Sequence, residues 1–322
     1  HWPDNGVDLR ELENGQDDSR RSLVFDEFFF LELGLALKRA GVQLEKGIAF
    51  SCKHKYTIPL NKILPFKLTQ AQRRVLGEIK RDMMAPQPMH RLLQGDVGSG
   101  KTLVALMSAL IAIENNTQVA IVAPTEILAE QHYQTFSTWL DKLGLKTGLL
   151  QGNMPAAIKR DRLEQIATGE INLVVGTHAI LQEGVDFYHL GLGIIDEQHR
   201  FGVRQRSLLK HKGVNPDILV MTATPIPRTL SMTLYGDLSV SVIDQLPPGR
   251  KPVTTEIFRS SQRQQAYLRI RQELEQGRQA YVVYPLVEES EKSDLQAATV
   301  AAESFANEIF PGLKVGLLHC LL

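Results

Sequence analysis

Residues 95–102 read Gly95-Asp96-Val97-Gly98-Ser99-Gly100-Lys101-Thr102, a G-x-x-x-x-G-K-[ST] phosphate-binding loop. Glycine lets the backbone curl around an anion with no Cβ in the way, so successive amide N–H groups point inward. Lys101 is placed to reach the β- and γ-phosphates of a nucleotide, and the Thr102 hydroxyl to take one Mg2+ coordination position. The flanking sequence supplies the context this pattern needs. Arg91-Leu92-Leu93-Gln94 suits a short buried strand, and Leu103, Val104, Leu106, Met107, Leu110 and Ile111 recur at helical spacing. The helix opens on the loop, so its positive end faces the phosphates.

The bulk composition excludes several classes. The 322 residues suffice for two domains, and 43% hydrophobic with 22% charged residues is ordinary for a globular protein. No apolar run reaches bilayer-spanning length, so no membrane partner is expected. The start, His1-Trp2-Pro3-Asp4, has no basic-then-apolar signal pattern, and its lack of an initiator Met points to a fragment or processed chain. Two cysteines, Cys52 and Cys320, make neither a disulfide framework nor a zinc site and fit a cytoplasmic protein. A formal net charge of zero neither demands nor excludes a nucleic-acid partner, because a local basic stripe fits in a neutral chain.

Taken in order, 1–63 is a polar tail followed by a linker helix region. Apolar residues from Leu23 to Leu37 predict a helix over 22–39 that ends at Gly41. Phe28-Phe29-Phe30 within it suits a core contact better than a docking surface. Thr69 is a candidate N-cap for a helix running to about Met83. Gln72 falls in its first turn, where an amide that both donates and accepts matches the N6/N7 edge of adenine. Beyond the phosphate loop, strands are expected at 118–123, 147–150, 171–176, 192–196 and 218–222, with helices at 126–143 and 155–168 between them. This alternation predicts an α/β fold, a parallel sheet with helices on both faces and ligands at the carboxyl ends of its strands. Ile194-Ile195-Asp196-Glu197 delivers two carboxylates at one such end. Asp196 fits the role of holding Mg2+ through its water shell, and Glu197 that of orienting and deprotonating the attacking water.

The phrase Asp196-Glu197-Gln198-His199-Arg200-Phe201-Gly202-Val203 resembles the DEAH-like box of superfamily 2 helicases. Pro65-Phe66 with Leu68-Thr69 and Gln72 resembles the adenine-reading Q motif. Pro124-Thr125 within Ala123–Ala129, with Gln131-His132, resembles motif Ia. Gly176-Thr177-His178 resembles a further DNA-contacting motif, and Thr222-Ala223-Thr224-Pro225-Ile226-Pro227-Arg228-Thr229 resembles motif III. Six phrases in the family's order cover roughly residues 22–319. The resemblance is closest to the bacterial enzymes of this superfamily that rework stalled forks and Holliday junctions in DNA recombination and repair. Transcription-repair coupling translocases share the His-Arg-Phe-Gly-Val and motif III phrases. They usually carry Asp-Glu-Glu-His where Gln198 stands third here, and Phe where Ser99 stands.

The resemblance implies a RecA-like P-loop NTPase lobe over 64–246 and an incomplete second RecA-like lobe over 247–322. It implies ATP and Mg2+ as cofactors and branched or duplex DNA as the partner of a monomer. Catalytic roles fall to Lys101, Asp196 and Glu197; Phe66 joins Gln72 at the base. Pro124, Thr125, Gly176, Thr177, His178, His199, Thr222, Thr224 and Arg228 are the candidates for DNA contact or coupling. Amides and hydroxyls at such strand ends grip phosphates without reading bases, which suits a motor moving along any sequence. The Pro- and Gly-rich run 244–252 marks a linker. Strands at 253–258, 279–284 and 314–318 with helices at 262–276 and 294–309 then begin the second lobe. Where the family continues with a Gly and a basic stretch, Cys320-Leu321-Leu322 closes the chain, which suggests a truncated end. No Gln-x-x-Gly-Arg-x-Gly-Arg phrase, N-terminal wedge domain or C-terminal translocation element is present, so the chain is expected to bind ATP–Mg2+ but turn it over poorly. The alternative from another class is a nucleotide-binding module that acts by binding alone.

Overall fold

Among the described residues, alternating apolar runs and helical segments give seven strands: β1 (His90–Gly95), β2 (Gln118–Val122), β3 (Thr147–Leu150), β4 (Leu173–Gly176), β5 (Leu190–Asp196), β6 (Asp217–Thr222) and β7 (Ser239–Ile243). They pair in parallel in the order β3-β4-β2-β5-β6-β1-β7. The helices are α1 (Asp18–Leu44), α2 (Thr57–Ile63), α3 (Gln70–Met83), α4 (Lys101–Ile113), α5 (Glu126–Leu140), α6 (Ala156–Ala167), α7 (Gly202–Lys210) and α8 (Arg263–Glu275). The structure, a computed structural model, describes residues 18–196, 202–223, 238–249, 253–283 and 299–317. By contacts the chain divides into two units, His1–Arg250 and Lys251–Leu322.

Both faces of the first unit's sheet are covered, as the apolar strand runs demand. Leu93, Val119, Ile121, Val175, Ile194 and Leu219 point to one face, against Val75 and Ile79 of α3, Leu106 and Leu110 of α4, and Phe136 of α5. Their strand neighbours Leu92, Ala120, Val122, Val174, Ile195 and Val220 point to the other, against Ile166 of α6, Ile180 of the short turn His178–Leu181 and Leu209 of α7. Adjacent residues on opposite faces follow from the two-residue side-chain period. Close-packing explains two glycines. A Cβ on Gly176 would lie 2.0 Å from the Leu150 carbonyl, and one on Gly191 2.3 Å from the Thr117 hydroxyl.

β7 was not among the expected strands. Its sequence alternates Ser with Val, and Val240 and Val242 remain 44% exposed on this sheet edge. Polar contacts hold it instead. Ser241 is buried and accepts a 2.7 Å bond from Arg91, whose guanidinium also pairs with Asp82 at 2.6 Å and Glu78 at 3.4 Å.

The N-terminal helix departs from expectation. It runs from Asp18 to Leu44, through Gly41 rather than ending there. Phe28, Phe29 and Phe30 are 56%, 48% and 68% exposed, so they are not the core contact expected. Within the helix, Phe25 and Phe29 stack at 5.8 Å, and Phe29 meets Phe30 edge-on at 5.6 Å.

In the second unit α8 forms as expected, and residues 299–309 are helical, ending in a π-turn at Phe305–Ile309. Tyr267 of α8 packs edge-on against Phe305 at 5.7 Å and Phe310 at 6.0 Å, and Arg271 donates to the Ile309 carbonyl at 2.6 Å. The three expected strands do not form in their described parts, 253–258, 279–283 and 314–317. Val253, Ile257, Tyr281 and Val283 there are more than four-fifths exposed at 83%, 92%, 82% and 87%. β-propensity without a ladder partner or a covered face does not make a strand.

One buried group makes the fold sensitive to pH. Asp217 opens β6 with no exposed surface. Oδ1 accepts a 2.7 Å bond from the Met89 amide, while Oδ2 has no hydrogen-bond partner among the described residues. Burial pushes its pKa up to about 8, against the lowering effect of the Met89 bond, and the nearby Asp82 charge adds to the rise. The folded chain therefore keeps a proton that the unfolded chain releases near 3.8. Stability held below that pH is lost as pH rises from about 3.8 to about 8, by roughly 1.4 kcal/mol per pH unit for one proton. Asp217→Asn imitates the protonated form. Urea unfolding from pH 5 to pH 8 is expected to show a flatter pH dependence in Asp217→Asn and higher stability than the parent at pH 8.

Candidate functional site

The parallel ladder sets five of the motifs on one rim. β1 ends in the phosphate loop, β2 leads into Pro124-Thr125, β4 ends in Gly176-Thr177-His178, β5 ends at Asp196 and β6 at Thr222. β6 lies between β1 and β5, with Thr222 in register with Gln94 and Met221 in register with Asp196. The first residue of motif III is thereby placed between the strand of the phosphate loop and the strand of the acidic pair.

The loop has the shape its sequence demands. Gly98 and Gly100 have φ of 77° and 89°, values that penalise any residue with a Cβ. Gly95 faces the buried Ser99, whose Oγ would lie 2.5 Å from an added Cβ and has no partner among the described residues. Lys101 folds its ammonium over the loop, 2.8 Å from the Gly95 carbonyl and 3.0 Å from that of Asp96. Asp96 accepts a 2.7 Å bond from the Val97 amide. Thr102 follows in the first turn of α4, half-buried, while Val97 is 63% exposed at the loop tip.

Gln72 braces this loop from α3. Thr69 caps the helix, accepting from the Gln72 backbone amide at 3.2 Å, and Gln72 Oε1 accepts in turn from the Thr69 backbone amide at 2.9 Å, a capping box. The other end of the same side chain, Nε2, donates 2.8 Å to the Ser99 carbonyl. A Cβ on Gly100 would lie 2.3 Å from that Nε2, so this glycine serves the brace as well as the left-handed turn. The sequence suggested an adenine reader; the bridge to the phosphate loop had no sequence signal, because it depends on α3 meeting the loop in space. Phe66 is 52% exposed in the segment before Thr69.

Asp196 is the last residue of β5, its side chain 13% exposed. Oδ2 meets His132 Nε2 at 2.7 Å, and Oδ1 has no hydrogen bond among the described residues. His132 stands in α5, its ring stacked on Phe136 at 5.7 Å and 14°. The residues fit a Mg2+–nucleotide. The glycine cradle suits phosphates; Thr102 and Asp196 supply oxygen donors of the hard kind that Mg2+ takes. No group of three or more His, Cys, Asp or Glu suited to a metal occurs among the described residues.

Elsewhere on the rim, Thr125 is exposed and caps α5, accepting from the Leu128 amide at 3.3 Å. Pro124 is half-buried beside it and His178 is exposed. Gly176 and Thr177 are buried, and the Thr177 hydroxyl neither caps the following turn nor finds a partner among the described residues. Thr222 is 1% exposed. Gln151 and Asn153, after β3, bond to the carbonyl and carboxylate of Glu126 at 3.2 and 2.9 Å, tying the sheet edge to the start of α5. Glu197, His199, Thr224 and Arg228 lie outside the described residues.

A parallel sheet carrying this loop and this carboxylate on one rim defines a P-loop nucleotide-binding lobe. Residues 69–233 match the DEAD/DEAH box helicase family, and the chain belongs to it. Over nearly its whole length it is similar to ATP-dependent DNA helicase RecG. Identity is 48% with RecG of Synechocystis sp. over 320 residues, 99% of this chain and 38% of the relative. It is 46% with RecG of Aquifex aeolicus (99% and 42%) and 48% with that of Escherichia coli K12 (99% and 47%). The chain thus spans less than half the length of these relatives. Among solved structures, RecG bound to a three-way DNA junction superposes with a TM-score of 0.78 at 39% identity, covering 96% of this chain and 40% of that one. A DNA-bound MrfA helicase shares the fold, with a TM-score of 0.51 at 20% identity over 72% of this chain and 37% of that one.

The brace separates two roles for Gln72. Gln72→Ala is expected to weaken ATP binding by about tenfold, the effect of one lost hydrogen bond to a charged or loop-shaping partner. If the amide also reads adenine, titration with fluorescent ATP and GTP analogues shows a larger loss for ATP. Equal loss for both assigns Gln72 to the loop alone.

Proposed function

We propose that this chain is the nucleotide-binding part of a RecG-like DNA motor, which uses ATP to remodel branched DNA such as stalled forks and Holliday junctions. The observation that carries the reading is the placement of β6 between β1 and β5. Thr222, the first residue of motif III, stands between the strand that leads into the phosphate loop and the strand that carries Asp196. The family match, the RecG relatives at 44–48% identity and the junction-bound RecG structure support the choice of substrate.

Each residue has a chemical part. Amides of 96–102 and the Lys101 ammonium hold the β- and γ-phosphates, with the dipole of α4 behind them. Thr102 and Asp196 would hold Mg2+, whose chemistry when bound is to neutralise phosphate charge. Glu197 takes the proton of the attacking water. Phe66 and Gln72 stand on the adenine side. Pro124, Thr125, Gly176 and His178 form the DNA edge, where Thr125 keeps an exposed hydroxyl and α5 presents its positive end. Thr177 and Thr222, both buried, act on DNA through the turns they shape rather than by direct contact. His199, Thr224 and Arg228 belong to coupling between nucleotide and DNA.

In this superfamily, arginines from a second lobe stabilise the transferring phosphoryl group, an effect worth on the order of 10³–10⁵ in rate. No such phrase occurs among these 322 residues. The chain by itself is therefore expected to bind ATP with Mg2+ and to hydrolyse it slowly. The test is steady-state ATP hydrolysis with and without forked DNA, with Glu197→Gln as the control for contaminating activity. Binding abolished by Lys101→Ala with negligible turnover supports the assignment. DNA-stimulated turnover lost in Glu197→Gln shows that the chain is a complete motor. ATP binding indifferent to Lys101→Ala removes the reading.

A further inference from the structure

His132 makes the one side-chain hydrogen bond to Asp196 within the described residues, and it comes from the helix that begins at the proposed DNA edge. Its Nε2 donates to Asp196 Oδ2 at 2.7 Å in a partly buried setting, with the two side chains 11% and 13% exposed. A carboxylate has no proton to give, so the imidazole is the donor. That bond engages one oxygen and fixes the rotation of the carboxylate, so Oδ1 has one direction in which to face the water shell of an ion. The ring cannot follow the carboxylate freely. It stacks on Phe136, one turn further along α5, and Phe136 is fully buried. The other end of α5 is Thr125, exposed on the rim about two turns earlier. Its start is clamped further by the bonds of Gln151 and Asn153 to Glu126.

We propose that His132 is a positioning residue that sets the orientation of the Asp196 carboxylate, and that α5 links DNA contact at Thr125 to the metal site through it. The proposal rests on the assignment of Asp196 to Mg2+ made above. α5 is a single hydrogen-bonded rod, so a phosphate held at its N-terminus and a carboxylate held by its second turn share one rigid body. Any shift of the rod on DNA moves the donor that orients Asp196. The charged imidazole and the neutral Nε2–H tautomer both donate from Nε2, and the carboxylate at 2.7 Å selects that tautomer.

The experiment reads metal-dependent nucleotide binding rather than turnover. Binding of a fluorescent, non-hydrolysable ATP analogue is titrated with Mg2+, with and without forked duplex DNA, in the parent chain, His132→Ala and His132→Gln. His132→Ala is expected to raise the Mg2+ concentration at half-saturation by about tenfold or more, the effect of losing an outer-shell partner. Its affinity for the analogue in EDTA should match the parent's. DNA should shift the Mg2+ midpoint in the parent and not in His132→Ala. His132→Gln, whose amide keeps a donor on a side chain of similar reach, should recover part of the metal affinity. An unchanged midpoint in His132→Ala overturns the proposal, and so does an equal loss with and without Mg2+, which marks a general loosening of the lobe. A parent chain whose analogue binding ignores both Mg2+ and Lys101→Ala defeats the assignment of the site itself, a result distinct from either.

Discussion

The close approach of α3 to the phosphate loop is the contact on which the nucleotide site depends. A loop built from Gly95, Gly98 and Gly100 has little intrinsic reason to hold one shape, because glycine has more backbone freedom to lose than any other residue. Its shape is imposed from outside. Gln72 holds the Ser99 carbonyl with one end of its amide and the cap of its own helix with the other. Lys101 folds over the loop and holds the carbonyls of Gly95 and Asp96. The glycines are needed because these partners come so near, as the 2.3 Å approach to Gly100 makes plain. Freedom from a Cβ allows the loop, and the neighbours then remove the freedom.

The parallel ladder does for the whole lobe what Gln72 does for the loop. Phrases far apart in sequence reach one rim because each ends a strand running the same way, and strand order decides which become neighbours. Thr222 beside the phosphate strand and Met221 beside Asp196 are consequences of register, which one residue of slip would destroy. The buried Asp217 sits at the far end of the same β6 strand, where it bonds the chain entering β1. Burial there costs stability at neutral pH, while the Met89 bond ties β6 to β1 at the end opposite the ligand rim.

What the sequence made legible follows the range of the forces involved. Runs such as Val119–Val122 and Ile194-Ile195 declare buried strands because water is excluded from both faces of a covered parallel sheet. The Thr69 cap and the phosphate loop are local patterns whose chemistry is fixed by spacing, so they too were readable. β7 was not, since an edge strand held by Arg91 and Ser241 has no apolar run to announce it. The strands expected in the second unit show the converse error. Val253, Ile257, Tyr281 and Val283 have the side chains of strands, but a strand is a property of a pair, and their partners are not among the described residues. Phe28–Phe30 failed for a similar reason: an aromatic cluster implies burial only where something covers it.

The site residues divide along the same line. Single positions in a motif could be named from sequence, and the bonds between motifs could not. His132 stood inside the phrase read as motif Ia, next to residues singled out for DNA contact, with nothing in its spacing to separate it from a surface histidine. Its meaning comes from β2 lying beside β5, which puts the second turn of the helix after β2 within reach of the last residue of β5. α5 itself packs over β3 and β4, and only its early part, through His132, reaches the last residue of β5. In a fold of this kind, the residues that connect one ligand to another are to be sought about two turns into the helices that open on the rim. At that depth a side chain is far enough from the cap to leave the DNA edge and near enough to reach a neighbouring strand's last residue.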